Sequence, residues 1–343
     1  VWIGSGQSNM EWHLRSTEQS KDFIAKADHP KVRLFHIPKK QTDRPATDVN
    51  ASWKLCTPAS VPTFSAVLYH FGRVVHEDQK IPLGLINSSW GGSPIEPWIV
   101  TDKGSGKMYN GMIAPIVKFP VTGTIWYQGE TNCLQKNGLS YTGKMKDLIE
   151  GWRRVFNNGN MPFYFVQIAP WSGGYAPGQL PALWEAQCAT LRLPHTGMAV
   201  TTDIVHNIGD IHPRNKHDVG DRLARWALAR HYQKKGVVYS GPLYKAMKVE
   251  GGRIRLAFAH SDGLKSRDGK DLNEFKIAGS DGQFVDAKAE IEGKFVLVSA
   301  ESIKNPTQVR FGWHKVANPN LVNRAGLPAS PFQTEKWTGG TGE

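Results

Sequence analysis

The feature of this sequence that most constrains its fold is the alternation of short apolar runs with amphipathic stretches up to about residue 235. The runs are apolar without strict alternation, which is typical of parallel strands buried on both faces. The stretches between them repeat apolar residues at helical spacing. Strands that alternate with helices form crossover units, so we predict an α/β fold with a doubly wound, mostly parallel sheet. The predicted strands are Val1–Gly4, Val32–Ile37, Leu83–Ser88, Gly123–Tyr127, Phe163–Ile168 and Met198–Thr202.

The pattern changes at about Pro242, where alternating apolar and polar residues replace the apolar runs. Arg253–Ala259 alternates in this way, and Asp-Gly pairs further along are turn signals. We therefore predict an α/β domain over residues 1–241 and a small antiparallel β domain over residues 242–343, whose tail packs back on the first domain. Because the sequence starts directly on a predicted strand, we expect that a signal peptide or a domain has been lost upstream.

The composition, with 40% hydrophobic and 21% charged residues, is that of a soluble globular protein. A net charge of +12 raises the question of nucleic-acid binding. The basic residues are scattered, however, and no aromatic-basic ribbon or zinc signature occurs, so we expect neither a nucleic-acid nor a membrane partner. Cys56, Cys133 and Cys188 are odd in number and widely spaced, which indicates buried thiols rather than a disulfide framework or a metal cluster.

The first candidate for chemistry is Ser8, in the segment Gly4-Ser5-Gly6-Gln7-Ser8-Asn9-Met10 directly after the first predicted strand. A strand, a glycine-flanked turn and a helix present a serine hydroxyl at the edge of a sheet, with helix N–H groups near it. A serine in this position can also be a simple helix cap. Met10 stands where the α/β-hydrolase nucleophile motif requires its second glycine, so that motif is not present.

The second candidate is His212, which follows the last predicted strand in Asp210-Ile211-His212-Pro213. A neutral histidine can accept the serine proton, and a nearby carboxylate holds its tautomer. We expect Pro213 to begin the next helix, because proline is favoured at the first helical position. Asp203 and His206 form an alternative pair closer to the strand.

Two further polar loops follow predicted strands: Trp90–Trp98, which contains Gly91-Gly92, and Trp126–Asn132. Paired glycines can bring a backbone N–H to an oxyanion, and an amide side chain can supply another donor. Each loop taken alone is more often a tight turn. Together with the loops of Ser8 and His212 they predict one site at the carboxyl edge of the sheet.

These blocks resemble the sialate O-acetylesterase family, which belongs to the SGNH superfamily and is similar to some acetylxylan esterases. The resemblance rests on four ordered motifs and spans nearly the whole chain. It implies a flavodoxin-like three-layer domain. The matching segments are Gly6–Met10, Trp90–Trp98, Trp126–Asn132 and Asp210–Lys216, with Tyr109–Pro115 and Gly326–Phe332 in support.

Carried over residue by residue, the resemblance implies Ser8 as the nucleophile and His212 as the general base. Asp210 is the implied acid, although one residue rather than two separates it from His212, which leaves a main-chain carbonyl as an alternative. The N–H groups of Ser8 and Gly92 would form the oxyanion hole. Gln128 is the expected third donor, with the alternative in the same loop, Asn132.

The activity implied by the resemblance is hydrolysis of acetyl esters on sugar hydroxyls through a serine acyl-enzyme, without a metal or cofactor. The alternatives are an acetylxylan esterase and an inactive carbohydrate-binding homologue. Acetylated sialic acid and acetylated xylan fit the motifs about equally well. A secreted or periplasmic location is implied, and one or two of the nearby tryptophans are expected to face the sugar: Trp12, Trp90, Trp98 and Trp126.

Overall fold

The computed structural model of the protein describes residues 1–138 and 140–335, so the part of the predicted second domain at 336–343 lies outside the described residues. Each predicted strand of the first part corresponds to a strand of one seven-stranded sheet, although the last lies at Thr196–Ala199 rather than at Met198–Thr202. Strands are numbered here in chain order. Those of the sheet are β1 Trp2–Gly6, β2 His29–His36, β3 Lys54–Cys56, β4 Leu83–Ser89, β7 Gly123–Tyr127, β8 Phe163–Val166 and β9 Thr196–Ala199.

The strand order across the sheet is β3-β2-β4-β1-β7-β8-β9, and all neighbours are parallel except β3 with β2. The antiparallel edge strand β3 escaped prediction because it is three residues long and mostly exposed, so it lacks the apolar run that marks the buried strands. Strand β1 lies between β4 and β7, where the chain switches direction across the sheet. In doubly wound folds the binding crevice forms at this point.

Helices cover the sheet in the way that the amphipathic stretches predict. Helix α3 packs against α7, and α5 packs against α6. Two differences from prediction concern the later helices. Helix α7 begins at His217, so Pro213 belongs to the loop before it and does not begin the helix. Helix α6 was not predicted, because its buried residues are spread around its circumference. The helices are α1 Ser8–Glu11, α2 Ser20–Ala25, α3 Ala66–Gln79, α4 Glu130–Leu134, α5 Tyr141–Val155, α6 Gln179–Thr190 and α7 His217–Trp226.

Short helical turns and one two-stranded ribbon complete the α/β part. The ribbon pairs β5 Val100–Thr101 with β6 Gly104–Ser105. The turns of 3-10 geometry are Leu14–Ser16, Val61–Thr63, Glu96–Trp98 and Ala114–Ile116, and those of π geometry are Tyr109–Ile113 and Ala227–His231. No helix within the described ranges has the length and apolar character needed to span a bilayer.

The last part of the chain forms antiparallel sheets around a hydrophobic core of its own. One sheet has the order β10-β11-β16-β15 and another β14-β13-β17-β19, while β12 pairs with β18. The strands are β10 Leu243–Glu250, β11 Arg253–Ala259, β12 Lys265–Ser266, β13 Phe275–Ala278, β14 Val285–Asp286, β15 Lys288–Glu292, β16 Phe295–Ser299, β17 Gln308–Phe311, β18 Leu321–Val322 and β19 Phe332–Gln333. The fold is therefore a doubly wound α/β sheet followed by small antiparallel sheets.

The tail contacts both parts of the molecule. Strands β18 and β19 pair with strands of the antiparallel sheets. Ser330, between these two strands, accepts a hydrogen bond at its Oγ from Gln167 Nε2 at 2.9 Å, and Gln333 at the end of β19 donates from Nε2 to Glu185 at 2.9 Å. These bonds join the tail to the loop after β8 and to α6. The division of the chain at residue 241 stays a prediction.

Candidate active site

The turn that carries Ser8 depends on a glycine at position 6. Gly6 ends β1 with φ +133°, and a Cβ atom there would lie 2.1 Å from the carbonyl oxygen of Tyr127 on β7. Only glycine therefore fits between the two strands at this point. Helix α1 begins at Ser8 itself, as predicted, so the hydroxyl stands at the helix N-terminus. Such an end presents N–H groups that the helix does not use internally.

Ser8 and His212 are brought together although 204 positions separate them in the chain. His212 Nε2 lies 2.9 Å from Ser8 Oγ, a normal hydrogen-bond distance. The loop of His212 starts after β9, at the far edge of the sheet, and reaches back past β8 and β7. The imidazole stacks on the indole of Trp12, with ring centroids 4.5 Å apart. This stacking restricts the ring to one plane beside the serine.

Burial lowers the pKa of His212, the positive charge of Lys216 lowers it further, and Asp210 opposes both effects. The imidazole is therefore neutral at neutral pH, which is the form that can accept a proton.

Asp210 lies close to His212 without bonding to its ring. Its Oδ1 atom is 3.7 Å from His212 Nδ1 and accepts a hydrogen bond from the His212 backbone N–H at 2.8 Å. The carboxylate thus holds the main chain at the base and acts on the imidazole through its charge. The alternative pair is not brought to the serine. Asp203 binds the guanidinium of Arg222 through both oxygens, and His206 is exposed and paired with Glu18.

The glycine pair after β4 lies beside Ser8. A Cβ atom on Gly91 would be 3.5 Å from Ser8 Cβ, and the Gly91 N–H donates to Glu11 Oε2 at 2.6 Å. Gly92 has φ +75°, a value that favours glycine, and its carbonyl accepts from Thr131 Oγ1. The loop is therefore anchored on both sides, with Gly91 next to Ser8.

The side-chain amides of Gln128 and Asn132, which were expected as oxyanion donors, already form hydrogen bonds with neighbouring protein groups. Gln128 is fully buried, and its Nε2 has acceptors on Gln7, Ser93 and Asn132 between 2.8 and 3.3 Å away. An amide nitrogen carries two hydrogens, so these acceptors can occupy both. The Nδ2 atom of Asn132 donates to the carboxylate of Glu96 at 3.1 and 3.2 Å. Both side chains thus tie the loops after β1, β4 and β7 together.

Gln7 is a site residue that the sequence analysis did not single out. Its Oε1 accepts from Gln128 Nε2 at 3.0 Å and lies 3.4 and 3.3 Å from the backbone N–H groups of Gly129 and Thr131. Gln7 therefore connects the turn that carries Ser8 to the start of α4. Its place next to Ser8 is the only sequence signal, because glutamine has no distinctive catalytic chemistry.

A second missed group is a buried polar cluster formed by Asn9, Glu130 and Lys216. Lys216 is fully buried and donates to Asn9 Oδ1 at 2.5 Å, while Asn9 Nδ2 donates to Glu130 Oε1 at 2.6 Å. Burial lowers the pKa of Lys216 to about 7 and raises the pKa of Glu130. Both charged residues fall within the motifs that carry the family resemblance, but their burial could not be read from the sequence.

The four tryptophans named from the sequence divide into two pairs. Trp98 and Trp126 are buried in the core of the sheet and do not reach the site surface, so they cannot stack on a sugar. Trp12, which stacks on His212, and Trp90, which precedes the glycine pair, remain partly exposed. All three cysteines are free, and burial raises the pKa of the Cys133 thiol well above its usual range, so it is not a nucleophile at neutral pH.

Comparison with known proteins assigns the chain to a family. Residues 1–229 match the family described as carbohydrate esterase, sialic acid-specific acetylesterase. The chain is 29% identical to the human sialate O-acetylesterase over 319 residues, which cover 79% of this chain and 61% of that protein. The mouse sialate O-acetylesterase is 28% identical over 348 residues, 79% of this chain and 64% of that protein. The chain thus spans less than two thirds of the length of these relatives.

Among solved structures, a carbohydrate acetylesterase from Xanthomonas citri superposes with a TM-score of 0.93 at 38% identity, covering 98% of this chain and 81% of that one. An Arabidopsis thaliana protein shares the fold, with a TM-score of 0.52 at 19% identity over 67% of this chain and 98% of that one. The high similarity to the bacterial esterase includes the antiparallel sheets as well as the α/β part. The chain belongs to the carbohydrate esterase family of sialic acid-specific acetylesterases.

Proposed function

We propose that the protein is a carbohydrate O-acetylesterase, a serine esterase of the SGNH type with Ser8 as nucleophile and His212 as general base. The observation that carries the proposal is the 2.9 Å contact between Ser8 Oγ and His212 Nε2 at the switch point of the sheet. A hydroxyl bonded to a neutral imidazole is the pair that acyl transfer requires.

In the proposed reaction His212 Nε2 takes the proton of Ser8 while the serine oxygen bonds to the acetyl carbonyl carbon. The tetrahedral intermediate collapses, its bond to the sugar oxygen breaks, and the imidazolium donates its proton to that oxygen. Water, deprotonated by the same imidazole, then attacks the acetyl carbonyl carbon. The bond to the Ser8 oxygen breaks, the imidazolium returns its proton to that oxygen, and acetate is released. One base therefore carries out every proton transfer, and the ester and water are the only reactants that the proposed reaction requires.

Stabilisation of the oxyanion is assigned to the backbone N–H groups of Ser8 and Gly92. The anchoring of the glycine loop by Glu11 and Thr131 supports this assignment, because a preorganised donor costs no rearrangement during the reaction. Gln128 remains our third candidate. To donate directly it would have to exchange one of its protein acceptors for the oxyanion, and otherwise it contributes by holding Gln7 and Asn132 in place.

The acetylated sugar is proposed from the relatives. Several of them are named sialate O-acetylesterase, and we therefore expect acetate release from O-acetylated sialic acid. Purified protein is incubated with this substrate and, separately, with acetylated xylan, and acetate is measured enzymatically over time. A kcat/KM at least about 10-fold higher on the sialic acid ester would support the assignment, since 10-fold corresponds to about 1.4 kcal/mol of differential binding. Faster acetate release from xylan would indicate acetylxylan as the substrate instead, and no release from either substrate would contradict the proposal.

We also propose a secreted or periplasmic location, because glycans that carry acetyl esters are typically encountered outside the cytoplasm. Fractionation of cells that make the native protein, followed by immunodetection, tests the location. Most of the protein is expected in the medium or the periplasmic fraction, and its retention with cytoplasmic markers would contradict this part of the proposal.

A further inference from the structure

The cluster of Asn9, Glu130 and Lys216 is not used by the reaction just described, although it adjoins both reacting residues. Asn9 follows the nucleophile directly, and Lys216 lies four positions after the base. Asn9 and Lys216 are fully buried, and Glu130 is 2% exposed. Burying two ionisable groups in one core is costly unless they compensate one another. A cluster of this kind therefore calls for an explanation beyond packing.

One amide group in the cluster joins the two halves of the site. Asn9 Nδ2 donates to Glu130 Oε1 and also to the carbonyl oxygen of Ile211, at 3.0 Å. Ile211 immediately precedes His212, while Asn9 immediately follows Ser8. The bond therefore ties the loop that carries the base to the helix that carries the nucleophile. It is a short tether across a gap of more than two hundred positions in the chain.

Lys216 supplies the donor for the oxygen of this amide and so helps to fix its orientation. Below its pKa of about 7, Lys216 is an ammonium group, which can only donate hydrogen bonds, and the carbonyl of Ile211 can only accept them. With Lys216 Nζ at 2.5 Å from Asn9 Oδ1, the amide nitrogen must point to Glu130 and Ile211. An apolar residue at position 216 would leave the buried Oδ1 atom of Asn9 without its donor, and this cost would weaken the tether to the base.

We propose that Lys216 is a positioning residue of the esterase: it orients the Asn9 amide that tethers the His212 loop and places a positive charge beside the base. The inference rests on the proposed roles of Ser8 and His212. It makes two separable claims, one on the geometry of the reacting pair and one on the ease with which the base is protonated.

The charges around the base support the second claim. Lys216 lowers the pKa of His212, after burial as the larger cause, while Asp210 raises it. Lys216 itself faces Glu130 and Asp210, both of which favour its charged form. Other titratable groups near Glu130 stay neutral over the working range, because burial raises their pKa values well above it: Tyr127, Cys133, Tyr141 and Tyr175.

The test compares Lys216→Met with Asn9→Ala, using pH profiles of kcat/KM on 4-nitrophenyl acetate. We expect both substitutions to lower kcat about 10-fold or more, because Asn9→Ala removes the tether, Lys216→Met weakens it, and either change misplaces the base. Only Lys216→Met should also move the acid limb of the profile to higher pH, since a base without the neighbouring charge is protonated more easily. Lys146→Met, which removes the same side chain from the exposed face of α5, is the matched control and should change neither quantity.

A second readout does not require turnover. The ring signal of His212 is titrated by NMR in Ser8→Ala with and without Lys216→Met, and is identified by its loss in Ser8→Ala/His212→Asn. An upward shift of the His212 midpoint is expected. An unchanged or lower midpoint of His212 overturns this proposal and leaves the proposed function intact. The proposed function fails instead if Ser8→Ala retains the wild-type rate.

Circular dichroism confirms that each variant is folded. If Lys216→Met does not fold, Lys216→Gln, which also lacks the charge, takes its place with the same expectation. Failure of both to fold would count against the proposal, because Lys216 would then be required for the core rather than for placing the base.

Discussion

Replacing Ser8 with alanine is expected to lower kcat for acetyl-ester hydrolysis by about 10⁵- to 10⁶-fold, the loss seen when the nucleophile of a serine-histidine pair is removed. Without the hydroxyl that lies 2.9 Å from His212 Nε2, no acyl-enzyme can form. The remaining rate would come from water attacking an ester held in the oxyanion hole. The measurement is the initial rate of 4-nitrophenyl acetate cleavage and of acetate release from the sugar substrate.

The matched control is Ser5→Ala, in the same strand and turn. Ser5 is fully buried, and its hydroxyl has no hydrogen-bond partner among the described residues, so its removal leaves no partner unsatisfied. We expect Ser5→Ala to retain activity within about two-fold, because the substitution breaks no hydrogen bond and so leaves the neighbouring turn in place. Equal rates for Ser8→Ala and the wild type would refute the serine mechanism.

The second large effect is expected at His212, and it should greatly exceed the effect at Asp210. His212→Ala removes the only base in contact with Ser8 Oγ among the described residues and should lower kcat by at least about 10⁴-fold. Asp210→Asn should cost only about 10-fold, because the carboxylate is 3.7 Å from the ring nitrogen and bonds to the backbone N–H instead. An asparagine oxygen can keep that backbone bond, so the main loss is the charge.

Both variants are assayed at a pH above the acid limb, with His206→Ala as the control. His206 is exposed and paired with Glu18, away from the nucleophile, and its removal should leave the rate unchanged. If Asp210→Asn were as inactive as His212→Ala, the carboxylate would have to bond to the imidazole during the reaction. The conformation with a 3.7 Å separation would then not be the reacting one.

Much of the α/β part was predictable because its signals are local. A buried parallel strand requires a continuous apolar run, so Gly123–Tyr127 was predicted with the bounds that the structure has. Edge strand β3 was not predicted because it is mostly exposed, and helix α6 was not predicted because it buries residues on several sides. Helix α7 begins four residues after Pro213, because proline permits a helix start but does not require one.

The sequence by itself determined the order of the buried parallel strands and the choice of Ser8 and His212 as candidates, because both depend on residue types within a few positions of one another. Only the tertiary structure decided what these candidates contact. The loop after β9 crosses the sheet edge to bring His212 to Ser8, Asp210 turns to the backbone, and Gln128 bonds to neighbouring loops. The burial of Lys216 against Asn9 likewise became visible only in the tertiary structure. Hydrogen-bond partners and burial depend on segments that meet only when the sheet assembles, and no local pattern records them.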